Sequence, residues 1–172
     1  MTDIPIIETE RLILRGHRVE DFPDSAAMWG DLEVTRMISG RAFTPEECWG
    51  RVLRYVGHWA LMGFGYWVLT QKSDGKFVGE SGFANYERAI ESDYVRLPEI
   101  GWMLAPAFHR QGYASEAVAA ITRWGDRHFK GSKTVCLIAP ENTPSIRLAE
   151  RAGYKLAEHN TYLGQPTLVL TR

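Results

Sequence analysis

The order of apolar runs and turn signals predicts an α/β (α+β) chain built on a mixed sheet, antiparallel strands first and then strand, helix, strand, helix and strand. Three observations carry that reading. Asp74-Gly75 separates the apolar runs Tyr66 to Leu69 and Phe77 to Phe83, the signal of a tight hairpin. Ile100, Trp102 and Leu104 alternate along a strand that leads through Gly112 into a helix with the apolar period of an amphipathic surface. The apolar run Thr134 to Ala139 then precedes a second helix and a closing pair of strands.

Taken in order, Leu12 and Leu14 among charged neighbours form the first strand, and Ala26, Ala27, Met28 and Trp29 place a short helix or two between Asp21 and Met37. Thr44-Pro45-Glu46-Glu47 starts a longer helix: a threonine cap, proline in the first turn, and carboxylates where the helix dipole favours them. That helix is expected to turn Cys48, Trp49, Val52, Tyr55, Val56 and Trp59 inward until Gly63 and Gly65 stop it. Asn85 to Asp93 has turn composition, and a strand is expected from Val95 to Leu104. In the helix after Gly112, Ala114, Ala117, Val118, Ile121 and Trp124 share a face, with Glu116, Arg123 and Asp126 outside it. Thr143-Pro144 caps a further helix, ended by Gly153 with Arg151 in its last turn, and Tyr154 to Glu158 pairs with Tyr162 to Leu170.

Composition narrows the class of function. The 172 residues suit one domain with a sizeable core, and no linker or repeat divides them, so the expected domain spans residues 1–172. Twenty basic against 21 acidic residues leave a net charge of −1, no basic excess for nucleic acid. No apolar stretch approaches the ~20 residues that cross a bilayer, and the amino terminus lacks a positive segment ahead of an apolar run, so a cytoplasmic protein without membrane contact is expected. Cys48 and Cys136 stand far apart without metal-ligand spacing and read as reduced thiols, Cys136 as a small buried hydrophobe. The five histidines are scattered, and no metal is implied.

His109-Arg110-Gln111-Gly112-Tyr113-Ala114 joins the strand to the helix start. The first amides of a helix have no intrahelical partner and its dipole adds roughly half a positive charge there, so phosphate oxygens bind without dedicated side chains. Gly112 lets the backbone approach them. A nucleoside-triphosphate loop, Gly-x-x-x-x-Gly-Lys-Ser/Thr, is absent, as is Gly-x-Gly-x-x-Gly after a strand. The six residues resemble instead the Gln/Arg-x-x-Gly-x-Gly/Ala signature by which the GNAT superfamily of acetyl-CoA-dependent N-acetyltransferases holds the coenzyme A pyrophosphate, with His109 departing from the pattern in the first position. Glu8 to Arg15 resembles the opening strand of the ribosomal-protein alanine N-acetyltransferase branch, Ser73 to Gly79 its central hairpin, and Asn142 to Tyr154 its late motif.

The resemblance implies a GNAT-like mixed, mostly antiparallel central sheet flanked by helices, with acetyl-CoA as cosubstrate. It places the pyrophosphate against Arg110, Gln111, Gly112, Tyr113, Ala114 and Ser115, and pairs the pantetheine arm with backbone groups of Met103 and Leu104 as an added strand. Asn142 would bind pantetheine or phosphate, and Ser145 would hydrogen-bond the sulfur in place of the family tyrosine, whose position holds Ala149. The acceptor is a primary amine, on a small molecule or a protein N-terminus; a homodimer stays open. The alternative is a non-catalytic acyl-CoA-binding sensor or regulatory module on the same fold.

Acetyl transfer to an amine needs a neutral nucleophile, and with a pKa near 10.4 only about one ammonium in 10³ is deprotonated at pH 7. Glu99 is the only carboxylate of its strand and the candidate base; its other reading is a solvated residue or an ion-pair partner. The oxyanion needs donors, which backbone amides supply, and the leaving thiolate gains from a hydrogen bond. The Trp-rich region from Trp29 to Trp59 reads as core and acceptor-pocket wall, and Glu87, Glu91 and Asp93 as a loop that is solvated or attracts a cationic amine.

Overall fold

The computed structural model describes residues 3–172. Its strands are β1 (Ile7–Glu8), β2 (Leu12–Arg15), β3 (Tyr66–Gln71), β4 (Phe77–Ala84), β5 (Glu99–Leu104), β6 (Val135–Ile138), β7 (Lys155–Tyr162) and β8 (Gln165–Thr171). They form one sheet in the order β1-β2-β3-β4-β5-β6-β8-β7, antiparallel throughout except where β5 meets β6. The helices are α1 (Phe22–Trp29), α2 (Leu32–Thr35), α3 (Pro45–Met62), α4 (Tyr113–His128) and α5 (Thr143–Arg151). None is long and apolar enough to cross a membrane among the described residues.

The main core joins the sheet to α4 and α5: Ala117, Val118 and Ile121 of α4 are fully buried against Leu69, Ile100 and Cys136. Trp67 lies between Trp59 and Trp124 at ring separations of 4.7 and 5.0 Å, which extends the aromatic core across the domain. On α1 and α3, Met28, Trp29 and Cys48 make a second cluster, and Tyr55 packs with Tyr66 and Ala84 in a third.

Several expected details are corrected. α3 buries Cys48, Val52, Tyr55 and Trp59, spaced four, three and four residues apart, so Trp49 and Val56 fall one residue off that stripe and are 37% and 43% exposed. The strand expected from Val95 begins at Glu99, because its partner β4 ends opposite it at Ala84; residues 94–97 instead form a turn closed by Leu97 N–H donating to the Tyr94 carbonyl. The cap of α5 is Asn142, whose Oδ1 accepts from the Ser145 amide at 3.3 Å, and not Thr143. Glu116 lies off the apolar face of α4 as expected, and there it is bound by Thr9 Oγ1, the Arg11 amide and Arg11 Nε at 2.6–2.7 Å, which ties α4 to the first strands. The closing pair runs longer than expected, with β7 ending at Tyr162 where the second strand was to begin and β8 starting at Gln165.

Candidate active site

The parallel contact of β5 with β6 is a single residue pair, Glu99 with Val135, after which the two strands splay apart. Beyond that pair β5 has a partner on one side only. Ala105 N–H donates to the Val78 carbonyl and Ser81 Oγ to the Gly101 carbonyl, so the backbone groups of residues 101, 103 and 105 face β4. By alternation, those of Trp102 and Leu104 face the gap. This corrects the expected pairing of a pantetheine arm: Met103's backbone is committed to β4, and its side chain packs toward α1 and α3. The Leu104 carbonyl is taken by His109 Nε2, which donates to it at 2.8 Å and pins the following loop to the end of β5. That is the structural job of the histidine that departs from the family signature.

The loop delivers Gly112 as the cap residue of α4 at φ +83°, directly after Arg110 at φ +59° and Gln111. No side chain caps this helix, so the amides of Tyr113, Ala114 and Ser115 keep their hydrogen-bonding capacity for a ligand. Gly112 is exposed, and a Cβ there would meet Arg11 Nη2 at 3.2 Å. The side chains do other work. Arg11 donates to the Gln111 carbonyl at 2.9 Å and lies over the Tyr113 ring, Gln111 Nε2 donates to the Ala107 carbonyl, and the buried Tyr113 hydroxyl accepts from Gln71 Nε2 at 2.8 Å. The first amides of α4 and the exposed side chain of Arg110 are the donors of this loop left without a partner among the described residues.

Across the gap, Ser145 of α5 meets β5: its Oγ accepts from Trp102 Nε1 at 3.3 Å. Trp102 is a wall of the gap that sequence reading used only as a strand marker; its place on the β6 side of an unpaired edge was the missing signal. Ala149 is fully buried one turn on, packed into the core.

Glu99 does not stand free. Arg88 Nε and Nη2 donate to its two oxygens at 2.7 and 2.6 Å, a two-pronged pair that anchors the 85–98 loop to the sheet. Next to it, on the α1/α3 face, three tyrosines gather. The Tyr55 and Tyr66 rings stack at 4.6 Å, and Tyr86 donates to the Tyr66 hydroxyl at 3.3 Å. The Tyr66 hydroxyl lies over Gly101, in space that any Cβ would fill. Burial pushes Tyr55, Tyr66 and Tyr86 above the ordinary tyrosine range, so their hydroxyls stay protonated and serve as donors. Behind them Glu80 is fully buried, accepting from Ser25 Oγ at 2.6 Å and Trp29 Nε1 at 2.9 Å, with His17 Nε2 at 3.3 Å. Burial raises its carboxyl, and the bonds from His17, Ser25 and Trp29 outweigh this and hold it below the usual range.

Burial and the nearby Glu99 drive the Cys136 thiol far up, and burial raises Cys48 as well, which leaves neither as a nucleophile. Among the described residues, no three His, Cys, Asp or Glu side chains gather to hold a metal.

With this geometry the comparisons agree. The family described as Acetyltransferase (GNAT) domain matches residues 11–155. The chain is similar to the Bacillus subtilis (strain 168) protein named uncharacterized N-acetyltransferase YnaD, 28% identical over 149 residues covering 87% of this chain and 82% of that protein. A GnaT-family acetyltransferase structure from Bordetella pertussis is 30% identical, with a TM-score of 0.86 over 98% of this chain and 99% of that one. RimL, a ribosomal L7/L12 alpha-N-protein acetyltransferase solved in complex with coenzyme A, shares the fold with a TM-score of 0.78 at 17% identity, over 98% of this chain and 97% of that one. The chain belongs to the GNAT acetyltransferase family. It is an acetyltransferase that uses acetyl-CoA as cosubstrate.

Proposed function

We propose that this chain, as one domain working in the cytoplasm, moves an acetyl group from acetyl-CoA to a primary amine by direct attack. The observation that carries the reading is the gap beyond Glu99 and Val135, bounded by the open edge of β5, by α5 and by the uncapped, glycine-led start of α4. Acetyl-CoA supplies an activated acyl group as a thioester. The α4 amides of Tyr113, Ala114 and Ser115 take the pyrophosphate, and the Leu104 amide and the Trp102 backbone pair with the pantetheine arm. The amine forms its bond to the acyl carbon as the carbon–sulfur bond breaks; the amine gives up a proton and the sulfur takes one.

Ser145 sits where it can hydrogen-bond the departing sulfur while Trp102 holds its hydroxyl oriented. Asn142 spends its Oδ1 on the helix cap, which leaves its amide nitrogen for the coenzyme arm. The two roles separate kinetically. Ser145→Ala is expected to lower kcat roughly tenfold, the worth of one hydrogen bond to a charged group, with the acetyl-CoA KM little changed. Asn142→Ala is expected to raise that KM and to cost about 1 kcal/mol of stability through the lost cap. Free-thiol release against acetyl-CoA concentration measures both; an unchanged kcat in Ser145→Ala would leave the thiolate to solvent.

Glu99, with both oxygens held by Arg88, acts in this reading as the anchor of the loop that closes the acceptor side, and the amine proton leaves to water. Glu99→Gln should then lose activity by the same factor at pH 7 and at pH 9. A loss that shrinks with rising pH, as the amine arrives already neutral, would restore Glu99 as the base.

A further inference from the structure

Three buried side-chain polar atoms lack a hydrogen-bond partner among the described residues: His17 Nδ1, Arg51 Nε and the Tyr55 hydroxyl. Arg51 and Tyr55 stand one turn apart on α3, and His17 joins them from the segment before α1. The His17 ring lies 4.9 Å from the Tyr55 ring, and the Tyr55 hydroxyl stands near enough to the Arg51 guanidinium to favour its charge against burial, without closing a hydrogen bond to Arg51 Nε. Buried polar atoms left unpaired are rare and costly, and three together mark a surface shaped for something absent from the free chain.

Arg51 is the informative member. Arg15 and Arg88, the other arginines held against the sheet, each have a carboxylate in a two-pronged pair, Asp21 and Glu99. Among the described residues Arg51 has no carboxylate within ion-pair distance; its guanidinium lies over Trp29 at 3.7 Å and over Phe43 at 4.8 Å. Glu80 is close, but its oxygens are taken by Ser25, Trp29 and His17. Arg54, one turn along α3 and likewise without a carboxylate, faces Tyr55 and Tyr86. The tyrosine cluster that opens over Gly101 is therefore rimmed by two guanidiniums that have no carboxylate partner among the described residues and by the Tyr55 hydroxyl.

We infer that the acceptor amine also carries a carboxylate, and that Arg51 and the Tyr55 hydroxyl receive that carboxylate beside the Tyr66 and Tyr86 hydroxyls. The inference rests on the acetyltransferase reading and names its substrate class. One planar guanidinium with one neutral hydroxyl, walled by Trp29, Phe43 and tyrosines, matches a single negative charge on two oxygens. A phosphate would bring a second charge, and the second guanidinium of the rim, Arg54, is exposed and screened by solvent where Arg51 is not. A polyamine or an aminoglycoside would set cations against Arg51 and Arg54.

The test is a matched panel in the free-thiol assay: α-amino acids, their carboxamides, the corresponding amines without the carboxyl group, and short peptides with a free N-terminus. At least one amino acid is expected to exceed its own carboxamide roughly 10- to 100-fold in kcat/KM, the worth of a charged hydrogen-bonded contact. Arg51→Gln should abolish that preference through KM, Arg51→Lys should recover part of it, and both should bind acetyl-CoA in calorimetry as the parent does. The parent's own carboxylate-to-carboxamide ratio needs no variant, so a misfolded Arg51→Gln does not spare the inference. Equal use of carboxamides, a preference for polyamines or peptides, or no acetylation of any carboxylate-bearing amine overturns it while acetyl-CoA binding leaves the acetyltransferase reading in place. Absence of acetyl-CoA binding by the parent would remove that reading first.

Discussion

In calorimetric titration with acetyl-CoA, Gly112→Glu is expected to bind more than tenfold more weakly than the parent while keeping its circular dichroism spectrum. Three effects add at this residue. At φ +83° a side chain costs roughly 1–2 kcal/mol of backbone strain, and its Cβ would press on Arg11 Nη2 at 3.2 Å. The new carboxylate would stand at the amides and dipole end that are left for pyrophosphate. Because Gly112 is exposed at the tip of a loop, the strain falls on the local turn and not on the core. Gly112→Ala carries the strain without the charge and should fall between parent and Glu. Undiminished affinity in a folded Gly112→Glu protein would move the pyrophosphate away from α4.

Glu80→Ala is expected to cost about 3–5 kcal/mol of folding stability in urea denaturation at pH 7, a large share of the roughly 5–15 kcal/mol that holds a domain together. The truncation strands Ser25 Oγ, Trp29 Nε1 and His17 Nε2 in a fully buried place and loosens α1 from the sheet. Glu80→Gln, which keeps one acceptor, should cost about 1–3 kcal/mol. The pH dependence has a definite sign. Glu80 is held below its unfolded pKa, so its contribution is present above about pH 4.3 and is lost as pH falls through the folded value. The deficit of the Ala variant should therefore narrow from pH 7 toward pH 3; a deficit independent of pH would mean that packing, and not the ionised carboxylate, is what the variant removes.

The strand-to-helix turn at Gly112, the hairpin signalled by Asp74-Gly75 and the inward face of α4 were legible before any coordinates because each follows from a local rule: positive φ at glycine, at Gly112 and at Gly75 in the 72–75 loop that Gln71 and Lys76 close, and a helical apolar period. The α3 boundaries were legible for the same reason, with Thr44 and Glu47 bonded reciprocally at its start and Gly63 left-handed at its end. Which side chains of α3 face inward was less so. Trp49 and Val56 are apolar enough for the core, and only the position of the sheet against the helix assigns them outward.

What the amino-acid order determined by itself was the family, the element sequence and the glycine-led loop that starts α4, since all three depend on residues close together in the chain. The tertiary structure alone decided the chemistry around them. It placed Arg88 on Glu99, deciding between the base and the ion-pair partner that the sequence left open for this carboxylate in favour of the ion pair, and it set Trp102 against Ser145 across the gap. It also brought His17, the α3 residues Arg51 and Tyr55, and Glu80 from three separate segments to one buried place. Ion pairing and polar satisfaction are decided by distances of a few ångströms between residues tens of positions apart, and those distances exist only after the sheet has assembled.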